Sequence, residues 1–306
     1  MITRERCPIC GSGASDPALS LPFDDADLQR YLSHIGFGLP QDWFRDIPFA
    51  LHECRPCGLL YQRHALDPDQ SAVLYGANKS GRRLAADHAP LALAHLAQDA
   101  LLARQLLAMD SPRVLDFGMG WGRFALLAQG FGFEVHGVEM SESAREHAAR
   151  HGICLRELED LRPAEFDFIL IDQVLEHLVA PLPLFQRLAE SVKPGGLVLV
   201  GVPGRPGLLK KIRSGAGRPS PASKLSIQDI DAVAPMIHLN LFSNQSLRAL
   251  ASRAGLEPYA APLLKTLGSG MLWNSARQWN RTPLLAMKYR WGMGTRLWLR
   301  KPAGRP

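Results

Sequence analysis

One stretch limits the possible folds of this chain more than any other: Arg113-Val-Leu-Asp-Phe-Gly-Met-Gly-Trp-Gly-Arg-Phe124. Val114 to Phe117 is short and largely apolar, as a buried strand is. Gly118, Gly120 and Gly122 then alternate, and an apolar helix pattern follows from Phe124 to Gln129. A strand that turns through glycines into a helix is expected to leave backbone N–H groups free at the turn. With no Cβ atoms, the glycines let a ligand approach the backbone closely. Asp116 sets the stretch apart from the plain dinucleotide fingerprint, which seats a diphosphate on the helix N-terminus. A carboxylate there repels a diphosphate and suits a ligand with a positive or hydroxylated end.

The residues on either side continue an alternation of strand and helix. Leu91 to Met109 has helical spacing with Pro90 at its start. Strands are expected at 113–117, 133–138, 153–155, 166–171 and 197–202. Helices are expected at 122–130, at 142–151 and within 173–192, where Pro181 and Pro183 read as interruptions. Right-handed crossovers make such a sheet parallel, with ligands at its carboxyl edge. Residues 203–228 break the pattern. Arg205, Lys210, Lys211, Arg213, Arg218 and Lys224 occur there without an acid, so a mobile basic loop over the site is expected, with an inert insertion as the rival. Helix 244–254 ends at Gly255, a suitable C-cap, and 256–262 reads as a further strand.

These motifs occur in a family order. Asp116-Phe-Gly-Met-Gly-Trp-Gly122 resembles motif I of class I S-adenosylmethionine (SAM)-dependent methyltransferases. Phe166-Asp-Phe-Ile-Leu-Ile-Asp-Gln-Val-Leu-Glu-His-Leu178 resembles the strand-four motif of their ubiquinone-methylase-like branch, and Lys193-Pro-Gly-Gly-Leu-Val-Leu-Val200 the next motif. The resemblance covers roughly residues 90 to 260. It implies an α/β fold: a Rossmann-like, mostly parallel seven-stranded sheet with helices on both faces. Arg296 to Arg300 would be its antiparallel last strand. The cofactor implied is SAM, with Asp116, Gly118, Gly120 and Gly122 at the turn and Glu139, followed by Met140, at the ribose. Glu157 would face the adenine amine and Leu158 its ring, with Glu159 and Asp160 as rivals for that place. Asp172 would hold the ammonium group. Taken alone, Glu139 would suit a nicotinamide dinucleotide equally well.

The sulfonium of SAM activates the methyl group, so alignment and exclusion of water supply most of the rate. A base is needed only where the acceptor must lose a proton. By position, His177 and His238 are the candidates, with Glu176 able to orient the neighbouring ring and Tyr75 a weaker alternative.

Four of the five cysteines form two matching knuckles, Cys7-Pro-Ile-Cys10-Gly and Cys54-Arg-Pro-Cys57-Gly. Four thiolates in two such pairs suit a closed, structural Zn2+ site. A redox pair would explain one Cys-x-x-Cys but not two. Residues 1–65 are thus expected to form a zinc-ribbon-like domain with an insertion between the knuckles. Residues 66–110 follow as a connector and covering helix, 111–264 as the SAM-binding core and 265–306 as a basic aromatic region. Cys154 is expected to be a small buried residue.

Two families join a zinc ribbon to this catalytic fold. The knuckles and His238-Leu-Asn-Leu-Phe242 resemble zinc-containing sugar methyltransferases, which implies transfer to a hydroxyl of a sugar, glycan or other small molecule. The alternatives are an rRNA or tRNA base methyltransferase and a SAM-binding module without turnover.

The chain has 306 residues and a formal charge of +6. After Glu257 no acid remains, while nine Lys and Arg residues are interleaved with Trp273, Trp279, Trp291 and Trp298. Such a region reads either as a solvated tail or as a contact for a phosphate-bearing substrate, an anionic membrane surface or, less readily, nucleic acid. No apolar run reaches the roughly 20 residues of a membrane span, and the first residues carry no signal-peptide pattern. The expected compartment is the cytoplasm.

Overall fold

The computed structural model describes residues 1–35, 40–44, 46–77, 90–205, 207–215, 226–270 and 295–304. The chain divides into two compact units. One gathers residues 1–80, 175–181 and 203–249; the other gathers 81–174, 182–202 and 250–306. The first unit therefore draws on segments far beyond the amino-terminal 65 residues.

In the first unit, β1 (Ile2–Thr3) pairs with β5 (His64–Ala65). A four-stranded antiparallel sheet is formed by β2 (Pro17–Leu21), β3 (Phe49–Cys54), β4 (Leu59–Gln62) and β11 (Asn240–Leu241), in the order β11-β4-β3-β2. Leu19, Leu28, Tyr31, Phe44, Phe49, Leu51, Ile212 and Met236 fill its core. Phe23 stacks on Phe44 with ring centroids 3.9 Å apart. Two segments expected to be irregular are helical: Pro68–Ala77, within the connector, and Leu208–Gly215, within the basic stretch. The latter helix is pinned. Lys211 Nζ and Arg205 Nε bind the buried Asp229 carboxylate at 2.7 and 2.6 Å. Those cations do have an acid, supplied by a segment just beyond the stretch in which none was found. Burial opposes ionisation of Asp229, but hydrogen bonds from Lys211, Ser226 and Arg205 hold its carboxyl well below the usual range.

The second unit is a seven-stranded sheet in the order β12-β13-β10-β9-β6-β7-β8. Its strands are β6 (Arg113–Phe117), β7 (Glu134–Val138), β8 (Cys154–Leu155), β9 (Phe166–Asp172), β10 (Val192–Gly201), β12 (Glu257–Pro258) and β13 (Arg296–Arg300). All pairings from β10 through β8 are parallel, and β13 runs antiparallel between β10 and β12. The run Phe166–Ile171, apolar but for Asp167, is buried throughout, as a central parallel strand requires. Strand order reverses at β6, so the carboxyl ends of β6 and β9 flank the switch-point crevice of an open α/β sheet. Pro181 and Pro183 do not interrupt a helix but lie in the first turn of one, Pro181–Ser191. In that turn a missing N–H costs no intrahelical bond.

Three further expectations are corrected here. Cys154 is exposed. The strand expected at 256–262 is the two-residue β12. Trp298 is 1% exposed and stacks on Phe168 at 5.5 Å, so it is core and not surface. A tryptophan at the centre of a five-residue strand packed in a sheet has its indole on the covered face. Trp273, Trp279 and Trp291 lie outside the described residues. Among the described residues no helix is long and apolar enough to cross a membrane.

Candidate functional site

The carboxyl end of β6 carries Asp116, and the turn after it has Gly118, Gly120 and Gly122 at φ +71°, +53° and +72°. L side chains strain at such angles. Space adds a second constraint at Gly118, where a Cβ would lie 2.5 Å from Val174 Cγ2. The turn does not leave the N–H groups of its glycines free, as had been expected: Gly122 donates to the Met119 carbonyl. Gly118 and Met119 donate to the Val138 carbonyl, and Gly120 donates to Glu139 Oε2 at 2.8 Å. The glycines therefore form a fastened platform and not an anion hook.

Glu139, just past β7, is the fastener. Its other oxygen, Oε1, accepts from the Met140 and Ser141 backbone N–H groups at 2.9 and 2.8 Å. Met140 beside it is 96% exposed, so its side chain stands in solvent. Glu157, after β8, is ion-paired to Arg145 at 2.5 Å, and Leu158 next to it is half-buried.

Asp116 is buried, and its Oδ2 finds no hydrogen-bond partner. Burial first, then the charges of Asp172 and Glu139, push its carboxyl up to about 7. A buried carboxylate oxygen without a partner is costly in a folded protein. A cation at the carboxyl edge of the sheet would satisfy it. The acceptors present therefore fit a ligand with a cationic end and hydroxyl groups, and they do not fit a diphosphate.

Asp172, at the end of β9, has a partner that sequence reasoning missed. Arg296 Nη1 on β13 lies 2.9 Å from its Oδ1, and the other arm of the guanidinium binds buried Asp99 in helix Pro90–Leu107. The only sequence signal was the placement of 296–300 within the sheet.

Within the first unit, Glu176, His177 and His238 come together. One ligand-capable atom from each lies within 4.8 Å of the others, an arrangement able to hold a metal ion or relay a proton. The two imidazole rings are 5.0 Å apart, edge to face. His177 Nδ1 is 3.0 Å from the Ile237 carbonyl and His238 Nδ1 3.3 Å from that of Ala232. A carbonyl only accepts, so each Nδ1 carries the proton and Nε2 is the basic nitrogen of the neutral ring. Asn240 ties the two segments together. Its Nδ2 donates to the Leu175 and Leu178 carbonyls, and its Oδ1 accepts from the buried Arg4. Tyr75 falls in helix Pro68–Ala77.

The four cysteines also converge. Their Sγ atoms lie within 4.8 Å of one another, with Cys10–Cys54 at 3.3 Å and Cys7–Cys57 at 3.5 Å. Gly11 and Gly58 follow the knuckles at φ +75° and +73°. Both close turns, donating to the Cys7 and Cys54 carbonyls. Four convergent sulfurs on two glycine-ended turns are the donor set of a tetrahedral zinc site.

The chain is 34% identical over 112 residues to a ubiquinone biosynthesis O-methyltransferase of Alkalilimnicola ehrlichii, an overlap of 32% of this chain and 44% of that protein. It is 37% identical over 101 residues to the protein of the same name in Neisseria meningitidis serogroup A, covering 28% and 42%. The chain thus spans less than half the length of these curated relatives. Among solved structures, the Burkholderia thailandensis 1,6-didemethyltoxoflavin-N1-methyltransferase is similar at 18% identity and a TM-score of 0.48, covering 84% of this chain and 97% of that one. Residues 86–261, more than half of the sequence, match the methyltransferase domain family, and the chain belongs to it.

Proposed function

We propose that this protein is a SAM-dependent methyltransferase acting on a hydroxyl of a sugar, glycan or other small molecule. The observation that carries the reading is Asp116: a buried carboxylate with an orphaned oxygen, beside a turn whose glycine N–H groups are engaged. Such a site rejects a diphosphate and receives a cation. Bound SAM would supply a methyl group already activated on a sulfonium.

The chain's residues then have distinct tasks. Asp116 and Asp172 face the cationic end. Glu139 accepts from the ribose hydroxyls while it keeps Gly120 in place. Gly118, Gly120 and Gly122 keep the approach clear of side chains, and Met140, Glu157 and Leu158 border the adenine. His177 and His238 take the acceptor's proton at Nε2 where the acceptor is a hydroxyl. The O-methyltransferase names of the ubiquinone-pathway relatives support an oxygen acceptor. The cysteines Cys7, Cys10, Cys54 and Cys57 hold a structural Zn2+, for which their matched knuckles are the support.

Titration calorimetry with S-adenosylhomocysteine beside NAD tests the cofactor. Binding of NAD alone would end the reading. Mass detection of a methylated product from hydroxylated sugars and phenols tests turnover; tight binding with no product from any acceptor would instead mark a module that holds SAM without using it.

A further inference from the structure

Asp172, Gly201 and Arg296 occupy one level of the sheet on three adjacent strands. Gly201 on β10 is in register with Asp172 on one side and with Arg296 on the other. The ion pair between the outer two residues therefore crosses the middle strand. It can do so only because position 201 has no side chain: a Cβ there would lie 1.9 Å from Asp172 Oδ1 and 2.9 Å from Arg296 Nη1. The far arm of the same guanidinium binds Asp99, which is fully buried in helix Pro90–Leu107. One arginine from the last strand thus joins the β9 carboxylate to the helix that precedes the whole sheet.

We propose that Arg296 is a positioning residue of the cofactor site: reaching across Gly201, it fixes the Asp172 carboxylate and offsets its charge, and so sets how the carboxylate rim receives a cationic cofactor. This rests on the reading of that rim as the SAM site. Several groups face Asp116: Asp172 from β9, Glu139 after β7, and Arg123 and the Ala125 N–H from helix Arg123–Gly130. Arg296 and Asp99 stand behind Asp172. Three carboxylates aimed at one ligand repel each other, and Arg296 is the cation that moderates one of them. Without it Asp172 bears its full charge, Asp116 holds its proton to higher pH, and fewer molecules present the ionised pair to SAM at neutral pH.

The test is SAM affinity by calorimetry from pH 6 to pH 9 for the full chain and for Arg296→Met, Arg296→Lys and Gly201→Ala. In Arg296→Met the midpoint of the pH dependence should rise by about one pH unit, with the ionised fraction, and so affinity, at pH 7 falling about fivefold. Arg296→Lys should restore much of both. Gly201→Ala keeps every charge but drives Asp172 and Arg296 apart, and should weaken binding with a displaced midpoint. If Arg296→Met does not fold, because Asp99 is left buried and uncompensated, the double variant Arg296→Met/Asp99→Asn takes its place. A weakening equal at every pH with an unmoved midpoint, or Gly201→Ala binding like wild type, overturns the proposal. Failure of the wild-type chain to bind SAM would overturn the cofactor reading itself, a separate outcome.

Discussion

Glu139 Oε2 accepts the Gly120 backbone N–H at 2.8 Å across 19 residues of sequence. The acid assigned to the ribose is thus also what holds the glycine turn shut. Ribose hydroxyls can share its oxygens, since each carboxylate oxygen accepts more than one hydrogen bond. Glu139→Ala should remove both roles. Charged hydrogen bonds contribute about 1.5–3 kcal/mol each, so S-adenosylhomocysteine affinity should fall by roughly one to two orders of magnitude. The melting temperature should drop as well, because Gly120, Met140 and Ser141 lose their acceptor. Affinity within twofold of wild type would remove Glu139 from the site.

Gly118 and Gly120 should respond unequally to alanine. Both have positive φ, which costs a β-carbon residue about 1–2 kcal/mol. Only Gly118 also meets a wall, Val174 Cγ2 at 2.5 Å, whereas nothing lies within 4 Å of the Cβ built at Gly120. Overpacking adds about 1–3 kcal/mol, so Gly118→Ala should be the less stable by about that amount in denaturant unfolding. Val174→Ala should rescue much of the difference. Equal losses, or no rescue, would show that conformation alone decides.

These contrasts separate what the sequence could reveal from what it could not. Strand β6, the turn and β7 were legible because periodicity and glycine placement are local properties. The antiparallel β13 was legible through family order alone. The partner of Asp172 was not legible, because Arg296 lies 124 residues away and reaches it over a glycine in a third strand. Neither was the fastening of the turn by Val138 and Glu139, since tertiary acceptors leave no local pattern. The helix at Leu208–Gly215 was missed because its basic residues suggested a free loop, while the acid that pins Lys211, Asp229, lies 18 residues further along the chain. Of the basic aromatic region 265–306, residues 271–294 lie outside the described residues.

The cysteine centre gives a prediction independent of catalysis. Purified protein should contain one Zn2+ per chain, and Cys54→Ser should lose it. Structural zinc contributes about 10–16 kcal/mol in zinc-finger peptides at neutral pH, so chelation should melt the first unit, seen as early proteolysis within residues 1–80. Dithiothreitol should leave the metal in place. Zinc-free protein with two disulfides would favour the redox reading instead.

Asp116 makes stability and binding move oppositely with pH. Its carboxyl is raised from the ordinary 3.8 to about 7, by burial first and by Asp172 and Glu139 next. The native state therefore holds a proton that the unfolded chain has already lost. Stability of the ligand-free protein is fully present below about pH 4 as far as this group is concerned, and is lost as pH climbs through about 7. Asp116→Asn cannot ionise, so it should abolish that decline. At pH 8 the ligand-free variant should be the more stable protein, by on the order of a few kcal/mol. SAM acts in the other direction. Its positive end favours the ionised carboxylate, so wild-type affinity should rise between pH 6 and pH 8 with release of a proton, read as a buffer-dependent heat in calorimetry. In Asp116→Asn the affinity should be lower and largely flat with pH. A variant that binds SAM as tightly as wild type at pH 8, or a wild-type affinity unchanged across this range, would show that the buried carboxylate does not face the cofactor.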